Sequence, residues 1–291
     1  MFYVRILIPY KMKRTIFLLP LACLNLNARP QSFRYPLANP YMGLTSYSKI
    51  HADISSFTGN PAALSGIEKP GIAVYGERRF MLQALSSYSV VGAIPSRMGN
   101  IGLQLNYSGY KNFNENMFML TYGRTLGPKA AVGIRFNYYS QRVPVYGNLS
   151  TLTVEAGAIF HFNEQLHGGI HIYNPVGGRM GKNGNEKLAS VYSFGLGLDA
   201  SESFYIGAVI SKEEDKPVEV SGGFQYRFAH RFFARGGILS ATTMAWAGAG
   251  IETGGLRLDF TGSFHPQLGI SPGFLLQYTF QRGKTLAIQS R

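Results

Sequence analysis

From Gly71 to Phe280, apolar and polar side chains alternate in one short run after another. Ile101, Leu103, Leu105 and Tyr107 interleave with Gly102, Gln104, Asn106 and Ser108. Val132, Ile134, Phe136 and Tyr138 do the same with Gly133, Arg135 and Asn137, as do Leu256, Leu258 and Phe260 with Arg257, Asp259 and Thr261. A period of two puts the two sets on opposite faces of a sheet. Applied along the chain, the pattern predicts about fourteen strands. They lie near 71–78, 83–94, 100–109, 115–125, 129–140, 150–162, 166–174, 187–199, 203–211, 217–228, 232–240, 243–252, 255–264 and 271–280. An even number of this size is within the range of bacterial outer-membrane barrels.

The connections carry a second signal. Gly127-Pro128, Asn163-Glu164-Gln165, Ala200-Ser201-Glu202, Ala229-His230-Arg231 and Thr253-Gly254 all follow even-numbered strands, and all are tight. Segments 141–149, 174–186 and 212–216 follow odd-numbered strands and are longer, although 95–99 and the loop near Ala241 break the trend. Short turns on one rim and long loops on the other are expected of such a barrel. The closing strand carries Phe274, Leu276, Tyr278 and Phe280 on one face. Tyr278 and Phe280 resemble the terminal aromatic signal for outer-membrane insertion, here followed by a basic tail, 281–291.

Composition bears on which face meets water. Charged residues are only 15% of the chain, aromatics reach 13%, and there are 35 glycines. Nearly every strand carries an apolar stripe, more than a soluble core of this size would hold. The opposite face is small or polar, with charges of both signs: Arg135, Glu155, Glu219, Arg227, Arg257 and Asp259. Those six are the candidate lumen residues, and Arg257 with Asp259 is expected to form a charge ladder with Arg227 or Arg135. A polar interior and an apolar exterior describe a transmembrane barrel; the competing reading is a secreted soluble all-β binding protein with the apolar face inward.

Lys11, Lys13 and Arg14 precede the apolar run 16–22, as in a secretory signal, with cleavage expected after Ala28. The only cysteine, Cys23, lies in that segment, so the mature chain has no disulfide and no cysteine metal ligand. The net charge of +13 falls nearer +9 once the four charges of the leader are removed. That excess suits anionic lipid; no dense basic cluster interleaved with stacking aromatics points to nucleic acid.

Residues 29–70 differ in texture. They are rich in Tyr and Ser and contain Asn60-Pro61-Ala62-Ala63-Leu64, in which Asn60 is a helix cap and Pro61 a first helical residue. This segment is expected to lie in the lumen as a plug or hatch. The plug motif, the leader before it and about fourteen strands after it resemble the FadL-type barrels. Within them the chain is most similar to the PorV/PorQ-like outer-membrane proteins of Bacteroidetes, which serve the type IX secretion system. Segments 265–271 and 278–280 are similar to the ends of that group and of the related PorP/SprF proteins. The resemblance implies a signal peptide (1–28), a plug (29–70), a barrel (71–280) and a location in the Gram-negative outer membrane. It implies an accessory role beside secretion-machinery proteins or a secreted cargo on the PorV branch, and passage of hydrophobic molecules on the FadL branch.

Enzyme chemistry finds no support. His161, His167 and His171 have no cysteine or carboxylate at ligand spacing and read as lumen or rim histidines. Glu213, Glu214 and Asp215 read as a loop tip. Nothing in the spacing singles out Ser193 or Ser263 with His171 or His265 as a nucleophile and base. No cofactor and no metal is implied.

Overall fold

The computed structural model describes residues 40–144, 147–180, 186–229 and 231–281. Residues 1–39, with the expected signal segment and Cys23, residues 145–146 and 181–185, His230 and the tail beyond Gln281 lie outside the described residues. Sixteen strands follow a short helical segment: β1 Gly71–Arg78, β2 Ser86–Ile94, β3 Asn100–Gly109, β4 Asn114–Thr125, β5 Ala130–Val143, β6 Gly147–His161, β7 Leu166–Tyr173, β8 Arg179–Met180, β9 Glu186–Lys187, β10 Val191–Asp199, β11 Phe204–Glu213, β12 Glu219–Phe228, β13 Phe232–Leu239, β14 Met244–Thr253, β15 Leu256–His265 and β16 Gly269–Thr279. Fourteen of them pair antiparallel with their neighbours and close into a barrel through β1 and β16, while β8 and β9 form a separate two-stranded piece. Closure satisfies the backbone around the whole circumference, which an open sheet in hydrocarbon cannot do.

The fourteen strands coincide with those read from alternation, because the alternating face decides where each one lies. The rims differ from expectation. β5 and β6 run on into the segment read as a loop, leaving only 144–146 between them. The alternation of Tyr139 and Gln141 inward with Tyr138 and Arg142 outward extends the ladder there. On the same rim, the stretch before Ser86 is two 3₁₀ turns, Arg79–Met81 and Gln83–Leu85, instead of strand. The long-loop rim is therefore carried mainly by 79–85 and 174–190.

The described ends of the second loop fold inward. Asn174 adopts φ +51°, accepts from the Gly178 amide and donates to the Leu188 carbonyl. Leu188 is thereby buried among Met117, Met119 and Tyr139 of the wall.

The exterior is apolar. Ile72, Val74, Leu103, Leu105, Ile134, Phe194, Leu196 and Ile206 are all exposed, at a density that hydrocarbon can cover and water cannot. Outward aromatics gather at both rims. Phe160, Phe162, Phe204, Phe228, Phe232, Tyr278 and Phe280 lie at the short-turn end, and Tyr88, Tyr107, Tyr110, Phe113, Tyr192 and Phe264 at the loop end. Stacked Phe228–Phe232 (5.8 Å) and edge-on Tyr278–Phe280 (5.0 Å) belong to the first ring. Two such girdles mark the interfaces of a membrane barrel. Most strands have 8 to 12 residues, enough to cross the hydrocarbon when tilted.

The short-turn half of the lumen is filled by the N-terminal segment: a helical turn Pro40–Gly43 and 3₁₀ turns Leu44–Tyr47, Ser56–Thr58 and Pro61–Gly66. Asn60 caps the last of these, its Oδ1 accepting from the Ala62 amide at 2.9 Å. The wall makes room with inward glycines. A β-carbon on Gly133 would strike the Pro61 backbone, one on Gly157 the Asn60 carboxamide, one on Gly195 the Tyr47 ring, and one on Gly248 the Tyr41 ring. Gly195→Ala should therefore lower the temperature at which the unboiled protein loses its fast-migrating gel band. Gly262→Ala, whose β-carbon would meet open space, should leave that temperature unchanged.

Candidate functional site

Three buried polar clusters join the plug to the wall. In the first, Asp53 Oδ2 lies 2.7 Å from Arg235 Nη2 and 2.9 Å from Arg257 Nη1. Arg257 also pairs with Asp259 at 2.6 Å, and Tyr41 donates to that carboxylate at 2.8 Å. Arg235 donates to the Tyr41 carbonyl and to Gln225, and Arg257 lies over the Phe233 ring at 4.1 Å. Two guanidiniums and two carboxylates cancel in charge, which a dry interior requires. Burial alone would raise the Asp53 carboxyl, but Arg235 and Arg257 outweigh it and hold it below the usual carboxylate range. Burial keeps the Tyr41 phenol protonated far above its ordinary value and pushes Tyr47 up to about 12.

In the second cluster, Arg135 pairs with Glu155 at 2.9 Å and donates to the Phe57 carbonyl of the plug and to Thr121. His171 and Asn137 complete the shell of Glu155, both at 2.8 Å. In the third, Asp199 accepts from Ser48 Oγ at 2.5 Å and from the Lys49 and Ile50 amides. His167 stands 3.0 Å behind Asp199, with His161 a further 3.0 Å away. Asn100 adds donors to the Leu64 and Ile67 carbonyls. Wall side chains thus satisfy plug backbone that no strand could pair.

The sequence candidates fall as follows. Arg135, Glu155, Arg257 and Asp259 are buried inside and touch or flank the plug. The expected ladder from Arg257 and Asp259 to Arg227 or Arg135 does not form. Asp53 and Tyr41 take those places, Arg135 is occupied by Glu155, and Arg227 sits half-exposed beside Glu252 at 3.5 Å. Glu219 lies at the loop rim beside a cavity. Asn60, Pro61, Ala62, Ala63 and Leu64 are buried in the lumen, whereas Tyr278 and Phe280 face outward. Ser193 lies opposite His171 in the β7–β10 register but shares its hydrogen bond with Ser211, while His171 is engaged by Glu155 and His265 accepts from the amides of its own turn. Among the described residues, no three His, Asp or Glu side chains converge as metal ligands.

Alternation did not reveal Asp53, Arg235, Asp199 or the chamber above the plug. That chamber has two cavities on the loop side, of about 470 and 520 Å³. Pro40, Leu239, Ala241 and Trp246 line both. The first runs toward Tyr75, Phe80 and Thr261; the second runs over Leu44 and Tyr47 toward Val209 and Ser193. Such volumes suit small-molecule sites. Each neighbouring pair of barrel strands around them is hydrogen-bonded.

No family model matches the chain, and no curated protein matches it. Solved structures do. The CymD monoaromatic hydrocarbon channel aligns with TM-score 0.58 at 11% identity, covering 83% of this chain and 99% of that one. A Pseudomonas aeruginosa FadL homologue gives 0.58 at 11%, covering 79% and 94%. The Ralstonia pickettii toluene transporter TbuX gives 0.55 at 9%, covering 79% and 94%. The structural neighbours are thus outer-membrane barrels of FadL type, and at these identities the likeness is one of fold.

Asp53→Asn leaves two buried guanidiniums short of one anion, and breaking a buried pair costs roughly 3–5 kcal/mol. Urea unfolding in detergent should show that loss, whereas Lys49→Ala, at the exposed pair with Glu164, should leave the midpoint in place. Because the native Asp53 carboxyl titrates well below the unfolded one, its contribution is full above about pH 5, declines progressively below about pH 4, and is lost only as pH falls through the depressed native value.

Proposed function

We propose that the protein lies in the outer membrane of a Gram-negative bacterium and admits small, uncharged, largely apolar molecules from outside into the chamber above its plug. The observation that carries this is the placing of the two cavities. They open on the loop side, end on a fixed plug, and share a partition of Pro40, Leu239, Ala241 and Trp246, none of it charged. The plug denies hydrophilic solutes a direct path. The fold similarity to proteins described as a monoaromatic hydrocarbon channel and a toluene transporter supports the same chemistry here.

Departure from the chamber requires a way through the wall. Small residues face one another between β11 and β12, where Gly207 and Ala208 lie opposite Gly223 and Gly222. The second cavity reaches Ala208 and Gly222, which occupy lipid-facing positions of those strands. Momentary parting of that pair is the exit this reading needs.

A second reading, an accessory of the type IX secretion system in Bacteroidetes, is favoured by the same pinned plug. A barrel sealed this firmly can serve as a scaffold or anchor for a secreted cargo. Initial uptake of labelled toluene and of maltose by cells with an intact lipopolysaccharide leaflet separates the two. Expression of the protein should speed toluene entry and leave maltose entry unchanged. Unchanged toluene entry, with secretion components recovered by cross-linking, would replace the first reading with the second.

A further inference from the structure

The chain has a single tryptophan, and it stands where the two cavities meet. Trp246 is 7% exposed. Its indole lies across two inward glycines, one on β12 and one on β13: a β-carbon on Gly223 would come within 2.9 Å of Cζ2, and one on Gly237 within 2.5 Å. Tyr41 meets the indole edge-on, with centroids 5.7 Å apart, and the Tyr41 hydroxyl is tied to Asp259. The ring is thus fixed on one side by bare backbone and on another by a tyrosine that the charge cluster immobilises. Aromatic pairs in this arrangement favour one geometry over its neighbours.

Polar groups of the chamber pair with one another, with Thr242 Oγ1 at the first cavity left without a partner among the described residues. Tyr75 and Thr261 face each other in the first cavity at 3.4 Å, and Ser193 and Ser211 in the second at 2.9 Å. Charges stand toward the mouths, where Arg79 faces Glu77 at 4.0 Å and Lys216 pairs with Glu213 at 2.6 Å. An occupant deep beside Trp246 gains by burying apolar surface and meets no unpaired charge.

We propose that Trp246 partitions the chamber into two subsites for uncharged apolar molecules, and so determines which of them the protein admits. This rests on the uptake reading above. Removing the indole would join the subsites into one elongated chamber, so molecules of two linked rings gain more than molecules of one. The lone tryptophan also reports contact with its own ligand.

The test uses the full protein in nanodiscs, with bromobenzene as a one-ring probe and diphenylmethane as a two-ring probe. Wild type should bind labelled bromobenzene saturably, and the bound bromine should quench Trp246 fluorescence by contact. Trp246→Ala should raise the affinity for diphenylmethane relative to bromobenzene by about tenfold or more, the scale on which pocket shape discriminates. Trp246→Phe should keep the wild-type ratio, with the heat-dependent gel shift confirming that both variants fold. Saturable bromobenzene binding without quenching, or a ratio unchanged in Trp246→Ala, would overturn the role of Trp246 and leave the uptake reading standing. Absence of saturable bromobenzene binding to wild type would overturn both.

Discussion

Asp53 holds the interior of this barrel together. It is the one carboxylate that the plug places between Arg235 and Arg257, two wall guanidiniums with almost no access to water. Without it, the wall would bury more positive charge than Asp259 alone can balance. With it, the pairing fixes Tyr41 and the Tyr41 carbonyl, and through Tyr41 the position of Trp246. The plug is therefore part of the protein's core, which explains how so small-sided a lumen wall can be stable. The glycines that leave the wall bare are filled by Tyr41, Tyr47, Asn60 and Pro61 from inside.

The two faces of each strand answer to different solvents. Outward positions are sorted by hydrocarbon and its interfaces, so large aliphatics lie mid-wall and aromatics at the rims. Inward positions are sorted by distance from the short-turn end: first glycines and paired charges against the plug, then the partly apolar chamber, then the charged mouths. This gradient, from sealed to open, confines any ligand to the loop side. It also makes the plug the floor of the candidate site.

Much of the fold was legible because alternation in a membrane barrel is not blurred by a second buried face. Strands such as Ile101–Tyr107 show one set of residues to lipid and the other to the lumen, and a closed barrel needs nothing further to place them. The Asn60-Pro61 cap was legible because a capping side chain acts on amides only two residues away. The interior network was not. Asp53 stands in a run of Ser and Ala with no periodicity to mark it, and its partners lie 182 and 204 residues further on. Arg235 sits between Ala234 and Gly236, where small residues conceal the alternation. Asp199 ends its strand beside a turn, where a carboxylate is ordinary. The chamber depends on where Tyr41 and Leu44 stand in the lumen, which no local pattern records. Loop 141–149 was misplaced for a related reason: polar residues there continue the inward face of β5 and β6.

The pinned plug is tested most directly by electrical recording of the purified wild-type protein in a planar bilayer. A lumen sealed by the Asp53 cluster and its companions predicts incorporation without steady ionic conductance, at low and high salt alike. A stable, ohmic open-pore current from the folded wild-type barrel would contradict it, and would mean that the plug does not close the lumen.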